Sequence, residues 1–245
     1  MLNKYSTPGL QYLQRHIAAG TMHDSTEHYP PPQCCPETHR VINCEIRDWI
    51  ENTNRLTKIL WLNGLAGAGK LAIVQTIAEL YSSLGKNLES DSSEIWMPEK
   101  KLNGVLGASF FSCSTPGRNS LKHLIPTIAA QLVESIPQIA AYIEAVIGHN
   151  SSILNKSVDI QLRKLISKPL QSLLAHKNHL NFQSTFIIID GLDECLGEDN
   201  QILIMKLITS AIIEEQIPLC FLICSHPESW IKDTFDLSPL NKITH

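Results

Sequence analysis

No apolar run follows a basic start at the N-terminus, so the sequence shows no secretory signal. No apolar stretch approaches the ~18 residues that a membrane-spanning helix needs, so no membrane partner is expected. A basic excess is missing too: 20 Lys and Arg stand against 24 Asp and Glu, for a formal net charge of −4. A nucleic-acid binder usually carries the opposite balance, so that partner is not expected either. The seven cysteines are odd in number and scattered, and without a secretory signal they read as reduced thiols in the cytosol. Internal repeats are absent.

What is present is a chain of 245 residues, 43% apolar and 18% charged, long enough for one α/β domain with a proper core plus extra segments. A short amphipathic helix is expected at "LQYLQRHIAA", followed by a linker with three consecutive prolines, Pro30 to Pro32, that favour extended chain. Residues 44–53, "CEIRDWIENT", read as a helix with Ile46, Trp49 and Ile50 on one face. Strands are expected at "KILWL" (58–62), "GASFFS" (107–112), "TFIIID" (185–190) and "LCFLIC" (219–224). Their near-continuous apolar character suits parallel strands buried on both faces. Helical patterns lie between them: "LAIVQTIAELY", with Ile73, Val74, Ile77, Leu80 and Tyr81 at helical spacing; two helices over 120–147, separated near Pro137; and one over 159–175, kinked at Pro169. The expected fold is a three-layer α/β sheet of mostly parallel strands flanked by helices. Its domain spans 44–236, after an N-terminal helix and Pro-rich linker at 1–43 and before a tail at 237–245. Residues 86–103 are polar and without periodicity, and read as an exposed insertion.

Two motifs carry chemistry. "GLAGAGKL" runs from Gly64 through Leu65, Ala66, Gly67, Ala68, Gly69 and Lys70 to Leu71, between a strand and a helix. Glycines there let backbone N–H groups approach phosphate oxygens, the helix start adds positive potential, and Lys70 reaches the β- and γ-phosphates. The plainer reading is a tight strand-to-helix turn. "FIIIDGLDE" ends a strand with Asp190, suited to a magnesium ion, and adds Asp193 and Glu194, either of which would orient or deprotonate an attacking water. The plainer reading is an acidic turn capping the next helix. Both motifs fall at the carboxyl ends of strands, where open α/β sheets bind ligands. Cys34, Cys35 and His39 lie close in sequence but lack the second half of a zinc site. Cys195, Cys220 and Cys224 read as packed thiols, and His123, His176 and His179 as surface or satisfied histidines.

With "HDSTEHYPPPQCCPETHR", "ILWLNGLAGAGK", "GASFF", "RNSLKHLIPTIAAQL", "FIIIDGLDEC" and "PLCFLICSHPESW" in order, the chain resembles the NACHT class of signal-transduction NTPases, particularly the fungal relatives of NOD-like receptors. The resemblance covers most of 20–235. It implies a cytoplasmic switch that holds ADP at rest, exchanges it for ATP with magnesium, and oligomerises or binds protein partners to signal; some members prefer GTP. It assigns Gly64, Gly69 and Lys70 to the phosphate loop, Asp190 to magnesium, Asp193 and Glu194 to the acidic pair that follows, and Arg118 to an arginine after the second strand. The departures are Leu71 for the magnesium-binding Ser or Thr, Cys113 for Arg, and His226 for Arg where the family places a phosphate sensor. The downstream helical and repeat regions of family members do not follow the fourth strand, so a fragment or a truncated paralogue is expected. The lost hydroxyl alone is worth roughly 1.5–3 kcal/mol. Two functions follow: a nucleotide switch with impaired hydrolysis, or a pseudo-NTPase interaction module that uses no nucleotide. In the second, Leu71 packs into the core and the site is dead.

Overall fold

The computed structural model describes residues 7–34, 38–82, 102–112, 120–176 and 185–245. Cys35, Cys113, Arg118, His179 and all but the last two residues of the expected insertion lie outside them. The four expected strands form, as β1 (Ile59–Asn63), β2 (Val105–Phe111), β3 (Thr185–Asp190) and β4 (Cys220–Ser225). They make one all-parallel sheet in the order β1-β4-β3-β2.

Successive residues of a strand point to opposite faces, and both faces here are apolar. Ile187 and Ile189 of β3 pack with Phe221 and Ile223 of β4 in one buried cluster, while Phe186 and Ile188 pack with Leu222 and Cys224 in the other. The second face is covered by α2 (Arg40–Glu51), through Ile46, Trp49 and Ile50, and by α3 (Lys70–Tyr81), through Ile73, Val74, Ile77 and Tyr81. The first face receives α1 (Pro8–Gln14), α4 (Leu121–Ser135), α5 (Ala140–His149), α6 (Val158–Leu162) with α7 (Lys168–His176), α8 (Glu198–Ile213) and α9 (Ser229–Asp236). The result is three layers, helix on sheet on helix.

Several boundaries differ from the sequence reading. Helix α2 begins at Arg40 rather than at 44, because Asn43 sits fully buried on the inward face and a polar residue hides the apolar period there. The helix expected over 159–175 is interrupted by a π turn, Arg163–Ser167, which ends two residues before Pro169. Proline supplies no N–H, and the wider turn accommodates that loss. Helix α1 stops at Gln14, and the chain is drawn to α4 by Ala18 N–H donating to Thr127 Oγ1 at 2.9 Å. Residues 237–245 fold back along the outer edge of β1. After α10 (Leu240–Ile243), Lys58 N–H donates to Ile243 O at 2.8 Å, His245 N–H to Ile59 O at 2.9 Å, and Trp61 N–H to His245 O at 3.1 Å. No single helix among the described residues is long and apolar enough to cross a membrane.

Candidate functional site

The end of β1 runs straight into the glycine loop, and α3 begins at Lys70. Gly67 and Gly69 take φ values of 78° and 81°, which let the chain reverse without a Cβ penalty. The first N–H groups of a helix have no acceptor within it. In α3 the earliest backbone closure is Ile73 N–H onto Gly69 O, at 3.0 Å, so the N–H groups before it face the loop. Lys70 Nζ bends back over this concavity and donates to Gly64 O at 2.6 Å and Leu65 O at 3.2 Å. Open space lies where a Cβ on Gly67 would project. A concave row of N–H donors, a helix start and a lysine ammonium together suit a phosphate group.

Gly69 is tightly constrained. A Cβ there would lie 2.5 Å from His39 Cε1 and 2.8 Å from Nε2, so the His39 ring rests against the loop. Its Nδ1 lies 3.8 Å from Cys34 Sγ, and Cys34 N–H donates to Thr76 Oγ1 on α3 at 3.4 Å. The proline-rich linker therefore lies along α3 and presents His39 to the loop, an arrangement with no signal in the spacing of the residues.

The acidic motif stands at the end of β3, but β3 is not next to β1: β4 is inserted between them. In the fold one strand separates them, and the two motifs still converge, since the Lys70 charge acts on both Asp190 and Cys224. Gly191, at φ 71°, turns the chain into a short 3₁₀ turn, Leu192–Glu194, against the Ser112 carbonyl. Asp190 is only 9% exposed. Burial first, and then the Glu194 carboxylate, push its carboxyl up to about 7; Asp193 adds to this, while the Gly191 N–H and Lys70 oppose it.

Asp193 and His226, read separately in the sequence, are joined. His226 N–H donates to Asp193 Oδ1 at 2.9 Å, and the ring Nδ1 lies 3.2 Å from Oδ2. Both oxygens of Asp193 thus belong to His226, and Gln201 Nε2 holds the Asp193 backbone carbonyl at 2.8 Å. Glu194 is exposed beside them. Leu71 is not in the core: it is 41% exposed at the start of α3, and Leu65 is 76% exposed. Buried Cys195, Cys220 and Cys224 are free thiols within the packed interior. His123 Nδ1 pairs with His16 O at 2.8 Å.

The residues fit a phosphate group well and a magnesium ion poorly. The loop offers N–H donors and a cation. The ion is offered Asp190, but no hydroxyl at position 71 and no unengaged oxygen from Asp193. Among the described residues no group of three or more His, Cys, Asp or Glu side chains converges as a metal site.

Neither a curated protein nor a solved structure matches the chain. Residues 41–226 match the family described as Nephrocystin 3, N-terminal, and this span holds α2 from its second residue, the whole sheet, the glycine loop, the acidic turn and, as its last residue, His226. The chain belongs to the nephrocystin 3 N-terminal family.

Proposed function

We propose that the chain is a nucleotide-binding switch module of the NACHT type, of the kind used by fungal relatives of NOD-like receptors. It takes ATP or ADP, with GTP as the other purine choice, hydrolyses nucleotide weakly if at all, and acts in the cytosol through protein partners or copies of itself. The observation that carries this reading is the glycine loop with Lys70 Nζ lying across it, 2.6 Å from Gly64 O, beside the carboxylates at the end of β3. A bound phosphate would replace the two loop carbonyls as the acceptor of the ammonium. Gly64, Leu65, Ala66, Gly67, Ala68 and Gly69 would wrap the phosphates, and Asp190 would be the protein oxygen nearest any magnesium ion. Hydrolysis is impaired because Leu71 offers no oxygen to that ion and because Asp193 is engaged by His226.

Calorimetry tests the reading. ADP or ATP should bind the wild-type chain, and Lys70→Ala should weaken binding strongly, since the phosphates lose their nearest cation. Equal affinity in the two proteins would remove the reading. No binding in either would favour an interaction module that uses no nucleotide.

A further inference from the structure

We propose that Gln201 is a positioning residue that fastens the acidic turn to α9, so that α9 follows what the phosphate loop holds; the part that concerns a ligand rests on the nucleotide-binding reading above. Carbonyls at the end of a short helical turn have no N–H partner within it. Gln201, in the first turn of α8 and buried, supplies the missing donors: its Nε2 donates to Asp193 O and to Cys195 O, each at 2.8 Å. Its Oε1 accepts from the Trp230 indole Nε1 at 2.7 Å. A glutamine amide has two hydrogens and one oxygen to offer, and all of them are used here. Glutamate in its place would lack the donors, and an apolar side chain would lack both functions.

These contacts close a ring. Asp193 grips the His226 N–H with one carboxylate oxygen and the His226 ring with the other. Helix α9 starts three residues after His226, and its second residue, Trp230, returns through Gln201 to the Asp193 carbonyl. The acidic turn therefore cannot shift against the end of β4 without pulling on the first turn of α9. The other end of α9 has its own anchor. Phe235 stacks on Trp61, with ring centroids 4.4 Å apart and planes 20° from parallel, and Trp61 Nε1 donates to Ser225 Oγ at 2.9 Å. Trp61 stands on β1, three residues before Gly64. One helix of eight residues thus touches, at its two ends, the strand that enters the glycine loop and the turn that carries the carboxylates. A ligand that fixes the loop and the turn against each other also fixes the helix that spans them, and the coupling is reciprocal.

Amide hydrogen exchange read by mass spectrometry on the full chain, with and without ADP, tests this. In wild type ADP should slow exchange about 5-fold or more over 64–73 and over 229–236, beyond any slowing in α4, which serves as the measure of global stabilisation. Gln201→Met keeps the size of the side chain and removes its polar atoms; Trp230→Phe removes only the indole N–H. Each variant should keep the effect of ADP at 64–73 and lose it at 229–236, and Trp230→Phe carries the test where Gln201→Met does not fold. Slowing at 64–73 with none at 229–236 in wild type, or slowing at 229–236 that persists in Trp230→Phe, overturns the coupling while the nucleotide reading stands. No slowing anywhere in wild type removes both.

Discussion

Asp190 shows what single residues contribute here and what they withhold from the sequence. An aspartate at the end of an apolar strand is visible in "TFIIID"; its burial beside two other carboxylates is not, because that depends on the turn after Gly191. Its carboxyl binds a proton more tightly folded than unfolded, at about 7 against 3.8. The stabilisation is therefore full below pH 3.8 and is lost as the pH rises to about 7, a change on the order of 4 kcal/mol. Asp190→Asn keeps the shape and removes the charge. It should raise the thermal midpoint by several degrees at pH 8, at about 2–4 °C per kcal/mol, and change it little at pH 3.5. An equal gain at both values would mean that the charge is not the cause. Leu71 is legible as a missing hydroxyl, but its exposure is a tertiary fact. Since no core packing holds it, Leu71→Ser should leave the midpoint within about a degree, while magnesium-dependent phosphate release rises above a very low wild-type rate. Wild-type release as fast as that of Leu71→Ser would show that the hydroxyl does not limit the site. The His226–Asp193 contact had no sequence signal, since 33 positions separate the two.

At the scale of elements, the strands were readable because parallel strands buried on both faces are nearly pure apolar runs, and β3 came out with the boundaries read from its residues. The insertion of β4 between β1 and β3 was not readable, because strand order is set by how helices pack on the sheet and leaves no local pattern. The seat of His39 on the loop was hidden for a similar reason, since it depends on the linker lying along α3. That seat has a consequence for Gly69. Gly69→Ala forces a Cβ into a positive-φ position and against the imidazole, and should destabilise the fold by about 1–3 kcal/mol in urea titrations. Combining it with His39→Ala should recover the steric part of that loss and leave the backbone part. If Gly69→Ala alone is neutral, the ring does not rest on the loop. A second element contact links α1 to α5. Glu144 accepts from Thr7 Oγ1 at 2.6 Å and from the N–H groups of Gly9 at 3.1 Å and Leu10 at 2.8 Å, so a distant carboxylate serves as the cap that α1 lacks locally. Glu144→Ala should release α1 first, seen as faster protease cleavage near residues 7–18 with the thermal midpoint of the sheet nearly unchanged.

For the molecule as a whole, β1 is an edge strand whose outer side is covered by residues 243–245. Deleting 240–245 should unpair the Lys58 and Trp61 N–H groups and the Ile59 carbonyl, lower the midpoint by several degrees and promote association through the bared edge, read by size-exclusion chromatography. An unchanged midpoint and elution volume would show that the edge needs no cover. The inner side of β1 has one partner strand, β4, and the two are far apart along the chain: Trp61 Nε1 donates to Ser225 Oγ across 164 positions. This separation puts the site on a clock. During synthesis the glycine loop leaves the ribosome early, yet its strand has nowhere to dock until β4 has followed it out. Strands β2, β3 and β4 join as sequential neighbours, so they close over shorter loops and form sooner; β1 is the long-range addition that finishes the sheet. A chain stalled before residue 220 carries the complete loop sequence and no strand to hold it, so the phosphate binding proposed for the loop would have to wait for β4.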